Sequence, residues 1–133
     1  MRPLHLYPIG SVCNGRRELA PPDSFRETES TILFEGLPLG VLDGLEPGED
    51  IVVLSWFHRR QGYFPKVHPK GDPRRPLKGV LATCAPQRPN PIGVSRCTLL
   101  KVNHDSIQVR GLDALDGTPV LDIKPFAMGA EGP

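Results

Sequence analysis

The segment Arg88-Pro89-Asn90-Pro91-Ile92-Gly93 concentrates residue types suited to holding a ligand. Two prolines fix the backbone on both sides of Asn90 and remove two amide donors. Gly93 permits a close backbone approach, or a bend where a strand begins. The product is a rigid arch that aims Arg88 and Asn90 in set directions and lowers the ordering cost of binding. A stiff loop that merely enters a strand is the alternative. A second segment, Gly111 to Val120, places Asp113 and Asp116 three residues apart around an Asp116-Gly117 turn signal. Two carboxylates there either accept hydrogen bonds from ribose hydroxyls or an amino group, or cap the turn. Capping is the commoner fate of Asp in such a turn. A third segment, Trp56-Phe57-His58-Arg59-Arg60, ends an apolar run in three polar residues. His58 and Arg59 suit an anion or a stacked base, or form the solvated end of a strand.

Several chemistries lack their residues. There is no GxGxxG, GxxxxGK[ST] or GxSxG pattern, which disfavours a Rossmann methyltransferase or dehydrogenase. The three cysteines (Cys13, Cys84, Cys97) include no CxxC pair, and the four histidines have no metal-ligand spacing. Neither a disulfide framework nor a metal site is expected, and the cysteines read as inert small hydrophobes. No apolar run approaches the roughly 20 residues of a membrane span, and no signal-peptide pattern opens the chain. A cytoplasmic protein without membrane contact is the expectation.

The formal net charge of +1 hides a strong asymmetry. Residues 58–101 carry ten basic side chains and one acid, Asp72, whereas both flanking regions are net acidic. That concentration suits an anionic partner such as phosphate or RNA, and equally a solvated loop with scattered counter-charges. Residues 58–78 hold Pro65, Pro69, Pro73 and Pro76 and read as a long, basic, semi-rigid loop. Lys66, Arg74 and Arg75 within it are the candidate substrate contacts.

The elements that position these residues are short. At 133 residues the chain has the size of one domain, and its 14 glycines and 16 prolines leave little room for long helices. Strands are expected over Leu4 to Val12, Thr31 to Phe34, Ile51 to Phe57, Gly79 to Thr83, Ile92 to Val102, Ser106 to Arg110 and Thr118 to Ile123. The run from Ile51 is nearly continuous and predicts burial on both sides. Asn103-His104-Asp105 predicts a hairpin. Leu37 to Leu45 suits a short helix or a few helical turns, ended by Glu46-Pro47-Gly48-Glu49. The tail from Ala127 to Pro133 has little to anchor it. Many short strands at close spacing favour a small β-barrel or sandwich over an α/β fold.

Together these segments resemble one family. Arg88 to Ser95 is similar to its RPNPIG(L/V)S signature, and Gly111 to Phe126 to its GLDLLDGTPVLDIKPY signature. Ile51 to His58 resembles its strand ending in WFH, and Ile9-Gly10 its usual start. The family is the TrmO/YaeB-like group (also called TsaA-like or VirR-like) of S-adenosylmethionine-dependent tRNA methyltransferases. The resemblance covers most of residues 4–126 in the same order. It implies a single mainly-β domain built as a barrel with short helical turns, not a Rossmann fold. It implies a homodimer with the cofactor near the subunit interface. It also implies methylation of the exocyclic amine of threonylcarbamoyl-adenosine, next to the anticodon of a tRNA.

Residue by residue, the resemblance assigns His58 and Arg59, Arg88, Val94, and the turn Asp113, Ala114, Leu115 and Asp116 to the cofactor. It turns Asn90, on the arch, toward the substrate, and no residue is assigned the proton chemistry. The sequence departs from the family pattern at Cys84, where an Arg is usual. It departs again over Cys13 to Pro21, where the family has a cofactor loop of Pro-Arg-Gln type.

Overall fold

A computed structural model describes residues 1–18, 20–58 and 62–127. Eight strands are assigned: β1 (Gly10–Cys13), β2 (Glu29–Phe34), β3 (Asp50–Trp56), β4 (Lys66–Val67), β5 (Lys78–Gly79), β6 (Ile92–Val102), β7 (Ser106–Arg110) and β8 (Pro119–Pro125). Six of them close into a barrel in the order β1-β2-β7-β6-β3-β8, and β4 and β5 form a separate two-stranded sheet. Every pairing in the barrel is antiparallel. Three single 3-10 turns, Pro22–Phe25, Pro69–Gly71 and Val80–Ala82, are the helical content among the described residues. The mainly-β barrel expected from the sequence is therefore the fold.

Alternation decides which side chains fill the barrel, because successive side chains of a strand point to opposite faces. On β3 Ile51, Val53 and Ser55 are buried, whereas Val52, Leu54 and Trp56 are only partly covered. The expected burial on both sides of this strand is thus corrected. A single-walled barrel lays no second layer over its outer face. The inward residues of β3 meet Val12, Ile32, Leu99, Ile107, Val109 and Val120 in one apolar core. Each such aliphatic side chain stabilises the fold by about 1.5–3 kcal/mol through removal from water. Cys97 joins this core, and burial, aided by the nearby Asp50 carboxylate, pushes its thiol up to about 12. Cys13 and Cys84 are exposed, so of the three cysteines read as inert small hydrophobes only Cys97 is packed inside.

Four further expectations are corrected. The run from Leu4 is strand only from Gly10, since the side chains of Leu4, Leu6 and Tyr7 stand in solvent with no neighbouring strand to pair. Gly79 to Thr83 divides into the end of β5 and a 3-10 turn. Residues 37–45 form reverse turns, closed by Asp43 N–H donating to Gly40 O and Leu45 N–H to Leu42 O. The basic stretch of 58–78 holds more structure than a loop. β4 and β5 pair Lys66 with Gly79 and Val67 with Lys78, and Pro69–Gly71 turns between them. By contrast β6 and β7 match their expected bounds, and Asn103 N–H donates to Ser106 O at 2.8 Å across the hairpin turn.

Curvature comes from two irregularities in register, between Leu54 and Ser55 against β8 and between Leu99 and Lys101 against β7. Such bulges bend and twist a strand, as barrel closure requires. Closure also requires β1 to lie tight on β2. A Cβ on Gly10 would collide with the Leu33 carbonyl, a backbone atom that has no rotamer to escape into. Gly10→Ala is therefore expected to destabilise the protein by about 2–3 kcal/mol, as overpacking does. Urea unfolding with an unchanged m-value would check it.

Candidate functional site

One end of the barrel opens into a cleft of about 1030 Å³. Its floor is the end of β3 at Ser55, Phe57 and His58, the start of β6 at Gly93 and Val94, and the turn at Asp113 to Leu115. Its other wall is the β4–β5 hairpin with the loop of residues 82–88. Backbone bonds brace each side of the cleft internally. Phe57 N–H donates to Pro91 O at 2.8 Å, Phe64 N–H to Gln87 O at 3.1 Å, and Val80 N–H to Pro65 O at 2.9 Å. The lining is largely apolar with a few polar groups, the usual make-up of a small-molecule site.

Gly93 has a definite task here. A Cβ on it would sit 2.7 Å from Phe57 Cζ and 3.1 Å from Ser55 Oγ. The glycine leaves room for the Phe57 ring to pack close against the start of β6 in the floor. Val94 beside it leaves an apolar side chain 66% exposed toward the cleft.

Arg88 lines the cleft, but its Nη1 is spent on the chain itself. It donates to Thr83 O at 2.8 Å, Ala85 O at 2.9 Å and, more weakly, Val80 O at 3.4 Å. Three carbonyls of an irregular loop are satisfied by one guanidinium, which fixes the wall carrying Cys84. Asn90 is exposed on the arch and does not line the cleft; its carbonyl accepts from Ile92 N–H at 2.7 Å.

The two aspartates of the turn part company. Asp113 is half-buried in the cleft, and its backbone N–H donates to Ser95 Oγ at 3.3 Å. Its carboxylate bonds to no described side chain, and burial raises its pKa above the ordinary value. Asp116 does not line the cleft. Its Oδ1 accepts from the backbone N–H groups of Asn14 (2.8 Å) and Gly15 (3.2 Å), which hold its carboxyl below the usual range. Asn14 Nδ2 in turn donates to Ala114 O at 2.9 Å and to Ser30 Oγ at 3.0 Å. Asp116 N–H donates to Arg16 O at 2.7 Å. This clasp holds Ala114 and Leu115 in the floor. Arg16 extends it: its guanidinium reaches Thr28 Oγ1 at 2.8 Å and lies 4.1 Å over the ring of Phe25, itself buried against the cleft.

On the hairpin, Lys66 and Arg75 line the cleft and Arg74 does not. Arg74 makes a two-pronged contact with Asp72, each arm at 3.1 Å, and Arg75 reaches the same acid at 3.9 Å. Lys66, Lys70 and Lys78 carry no ion pair among the described residues, so the hairpin keeps a surplus of positive charge. His58 stands at the end of β3, its Nε2 4.0 Å from where a Gly117 Cβ would lie. Arg59 falls outside the described residues. The site thus joins His58, Arg88, Val94, Asp113, Ala114, Leu115, Lys66 and Arg75 around one cleft, and leaves Asn90, Arg74 and Asp116 outside its lining. Phe25, Phe57 and Asn14 belong to its construction without having been assigned a role from the sequence, and Arg16, in the loop that departs from the family pattern, joins them. Elsewhere on the barrel, Asp50, Arg96 and Arg110 line a shallow depression of about 380 Å³, where Arg96 Nε already donates to Asp50 at 2.7 Å.

The tRNA-methyltransferase O N-terminal domain, taken as a family, matches residues 18–131. The chain belongs to the TrmO family. A probable S-adenosyl-L-methionine-binding protein of Methanothermobacter thermautotrophicus is 39% identical over 126 residues, covering 92% of this chain and 90% of that protein. A tRNA (adenine(37)-N6)-methyltransferase of Mus musculus is 40% identical over 96 residues, 69% of this chain but 22% of that protein. The crystal structure of TrmO from Pseudomonas aeruginosa superposes with a TM-score of 0.74 at 30% identity, covering 95% of this chain and 57% of that one. The chain thus spans little more than half of the solved TrmO protein that it matches.

In this TrmO-family barrel the Asp116 clasp predicts a pH signature. A carboxylate with a lowered folded pKa contributes stability that is present above the unfolded value of 3.8 and is lost as pH falls through the folded value. Asp116→Asn keeps an oxygen acceptor without the charge. Wild type is therefore expected to melt higher than Asp116→Asn at neutral pH, with the gap closing as the pH falls below 3.8. Thermal unfolding of both proteins across that range is the measurement.

Proposed function

We propose that the chain binds S-adenosylmethionine in the barrel-end cleft and methylates tRNA at the N6 nitrogen of threonylcarbamoyl-adenosine beside the anticodon. One observation carries this reading. The two family signatures, separated by most of β6 and by β7, converge on one apolar cleft with a basic wall. The residues present suit the cofactor. Phe57, Val94, Ala114 and Leu115 offer an apolar bed for an adenine ring and a thioether chain. The cleft lies at the upper end of the range of about 300–1,000 Å³ usual for small-molecule sites, which leaves room for a second reactant. The bound cofactor supplies an electrophilic methyl group on a sulfonium that is already a good leaving group.

The protein's share of the work is alignment and exclusion of water. Gly93 and the Phe57 ring set the floor, the Asp116 clasp holds the Ala114-Leu115 turn, and Arg88 fixes the facing wall. Anticodon-loop bases are already unpaired, so presenting one costs little. Lys66, Lys70, Arg74, Arg75 and Lys78 face the backbone phosphates. The exposed apolar side chains of Leu77, Leu81 and Val94 around the opening support a second copy of the chain covering it, and hence a homodimer. A same-fold methyltransferase with a different substrate is the second reading. Cys84 in the cleft wall, where the family usually has an Arg, favours it.

Calorimetric titration with S-adenosylmethionine and its demethylated product tests the cofactor, first alone and then with tRNA present. Saturable binding of about one equivalent per chain is expected, and no binding under either condition would sink the enzyme reading. Methyl incorporation into threonylcarbamoyl-modified but not unmodified tRNA supports the first substrate; cofactor binding without that transfer supports the second reading. If the hairpin neutralises roughly three to five phosphates, log K for tRNA falls against log salt with a slope of about −2 to −3.5. A flat salt dependence counts against that role.

A further inference from the structure

Asp113 is the only carboxylate among the described residues that line the cleft. The other charged or titratable groups there are Lys66, His68, Lys70, Arg75 and Lys78 of the hairpin, Cys84 and Arg88 of the loop that follows, and His58 at the end of β3. None of them bonds to the Asp113 carboxylate. Two are already committed: His68 Nδ1 is 2.7 Å from Arg75 O, and Arg88 Nη1 serves three carbonyls. The side chain of His58 is exposed at the rim, whereas Asp113 is half-buried beside the apolar floor. Its main chain is held by Ser95 and by the clasped turn, so the carboxylate is both positioned and unpaired. A desolvated acid without a partner costs stability, and such groups concentrate at functional sites.

The proposed substrate needs such a group. In threonylcarbamoyl-adenosine N6 is bonded to a carbonyl carbon and to the purine ring, and both draw off its lone pair. That nitrogen is a poor nucleophile while it keeps its proton. We infer that Asp113 is the general base that takes the N6 proton as the methyl group is transferred. The inference rests on the proposed function and deepens it. In the step, the N6–carbon bond forms as the methyl–sulfur bond breaks, and the sulfur keeps the electron pair of that bond. The N6–H proton passes to an Asp113 Oδ, and its bonding pair stays on N6, leaving a neutral methylated nitrogen and a neutral thioether. Burial lifts the basicity of Asp113 in the direction that general-base catalysis needs.

The test compares wild type with Asp113→Asn on threonylcarbamoyl-modified tRNA. Three readouts are needed: single-turnover methyl transfer across pH, S-adenosylmethionine affinity by calorimetry, and the melting temperature of the ligand-free protein. The expected result is a loss of transfer of about 100-fold or more, the range of a general base. Cofactor affinity should stay within about threefold, the change in the pH profile being confined to the chemical step. The wild-type rate should rise with pH through one ionisation that Asp113→Asn lacks. The ligand-free variant should melt no lower than wild type, because a desolvated charge has been removed. Four outcomes overturn the inference. Unimpaired transfer in Asp113→Asn does so while leaving the proposed function intact. A large loss of cofactor affinity makes Asp113 a cofactor ligand instead. Persistence of the same ionisation in the variant assigns the proton to another group. Wild type that binds cofactor yet leaves this tRNA unmethylated removes the substrate on which the inference depends.

Discussion

The short seam between β1 and β8 is the constraint on which the rest of the molecule depends. Only two residue pairs, Gly10 with Val120 and Ser11 with Pro119, make up the ladder that closes the barrel. Six strands would otherwise form an open sheet with two unpaired edges, a liability in any β protein. The seam is extended by bonds outside the ladder. Ile9 N–H reaches Val120 O, Val12 N–H reaches Thr118 O, and Gly117 N–H reaches Val12 O at 2.7 Å. Beyond these, the Asn14–Asp116 clasp continues the closure in side-chain form. Closure of the core and construction of the cleft are therefore one event, because the residues that follow β1 grip the turn that precedes β8.

That coupling explains how the polar residues near the site divide. Arg16, Asn14, Asp116 and the Nη1 group of Arg88 all satisfy backbone atoms of irregular segments. A loop-built wall exposes many carbonyl and amide groups, and leaving them unpaired on partial burial is costly. One guanidinium or carboxylate that serves two or three of them is an economical solution and produces a rigid wall. Among the described residues of the cleft, Asp113, His58, Val94, the ring of Phe57 and the hairpin lysines remain uncommitted. The motif residues are thus of two kinds, those that hold the cleft's shape and those that face its interior.

Sequence pattern revealed the elements whose physics is local. β6 and β7 alternate cleanly and are joined by a polar turn, so their bounds were readable. β1 was over-extended, because Leu4, Leu6 and Tyr7 look like strand residues while no neighbour lies within reach to pair with them. The β4–β5 hairpin was invisible because two pairs of residues give no periodicity, and four prolines suggested a loop. The roles of Asp113 and Asp116 could not be told apart in sequence for a related reason. They sit three residues apart in one turn, and what separates them is a partner about a hundred residues away, Asn14. The one local hint was compositional: Asn14-Gly15 after a strand is a turn signal whose amides need an acceptor. The basic segment was legible as charge, but its division into paired Arg74 and unpaired lysines required the fold.

Charge arrangement in the cleft follows from the same division. Asp72 pairs with Arg74, which lies outside the cleft lining, and with Arg75, which lies within it. Arg88 is fixed by carbonyls and not by a carboxylate. Among the described residues the single acid of the cleft thus coexists with a cationic wall without bonding to it. Had Asp113 met one of those cations, its charge would be compensated and its basicity lowered. Keeping them apart leaves a desolvated carboxylate against an apolar floor and a positive field at the entrance, two opposite electrostatic environments within one cavity. Under the proposed function, a polyanionic strand would be drawn to the second and the group it presents would meet the first.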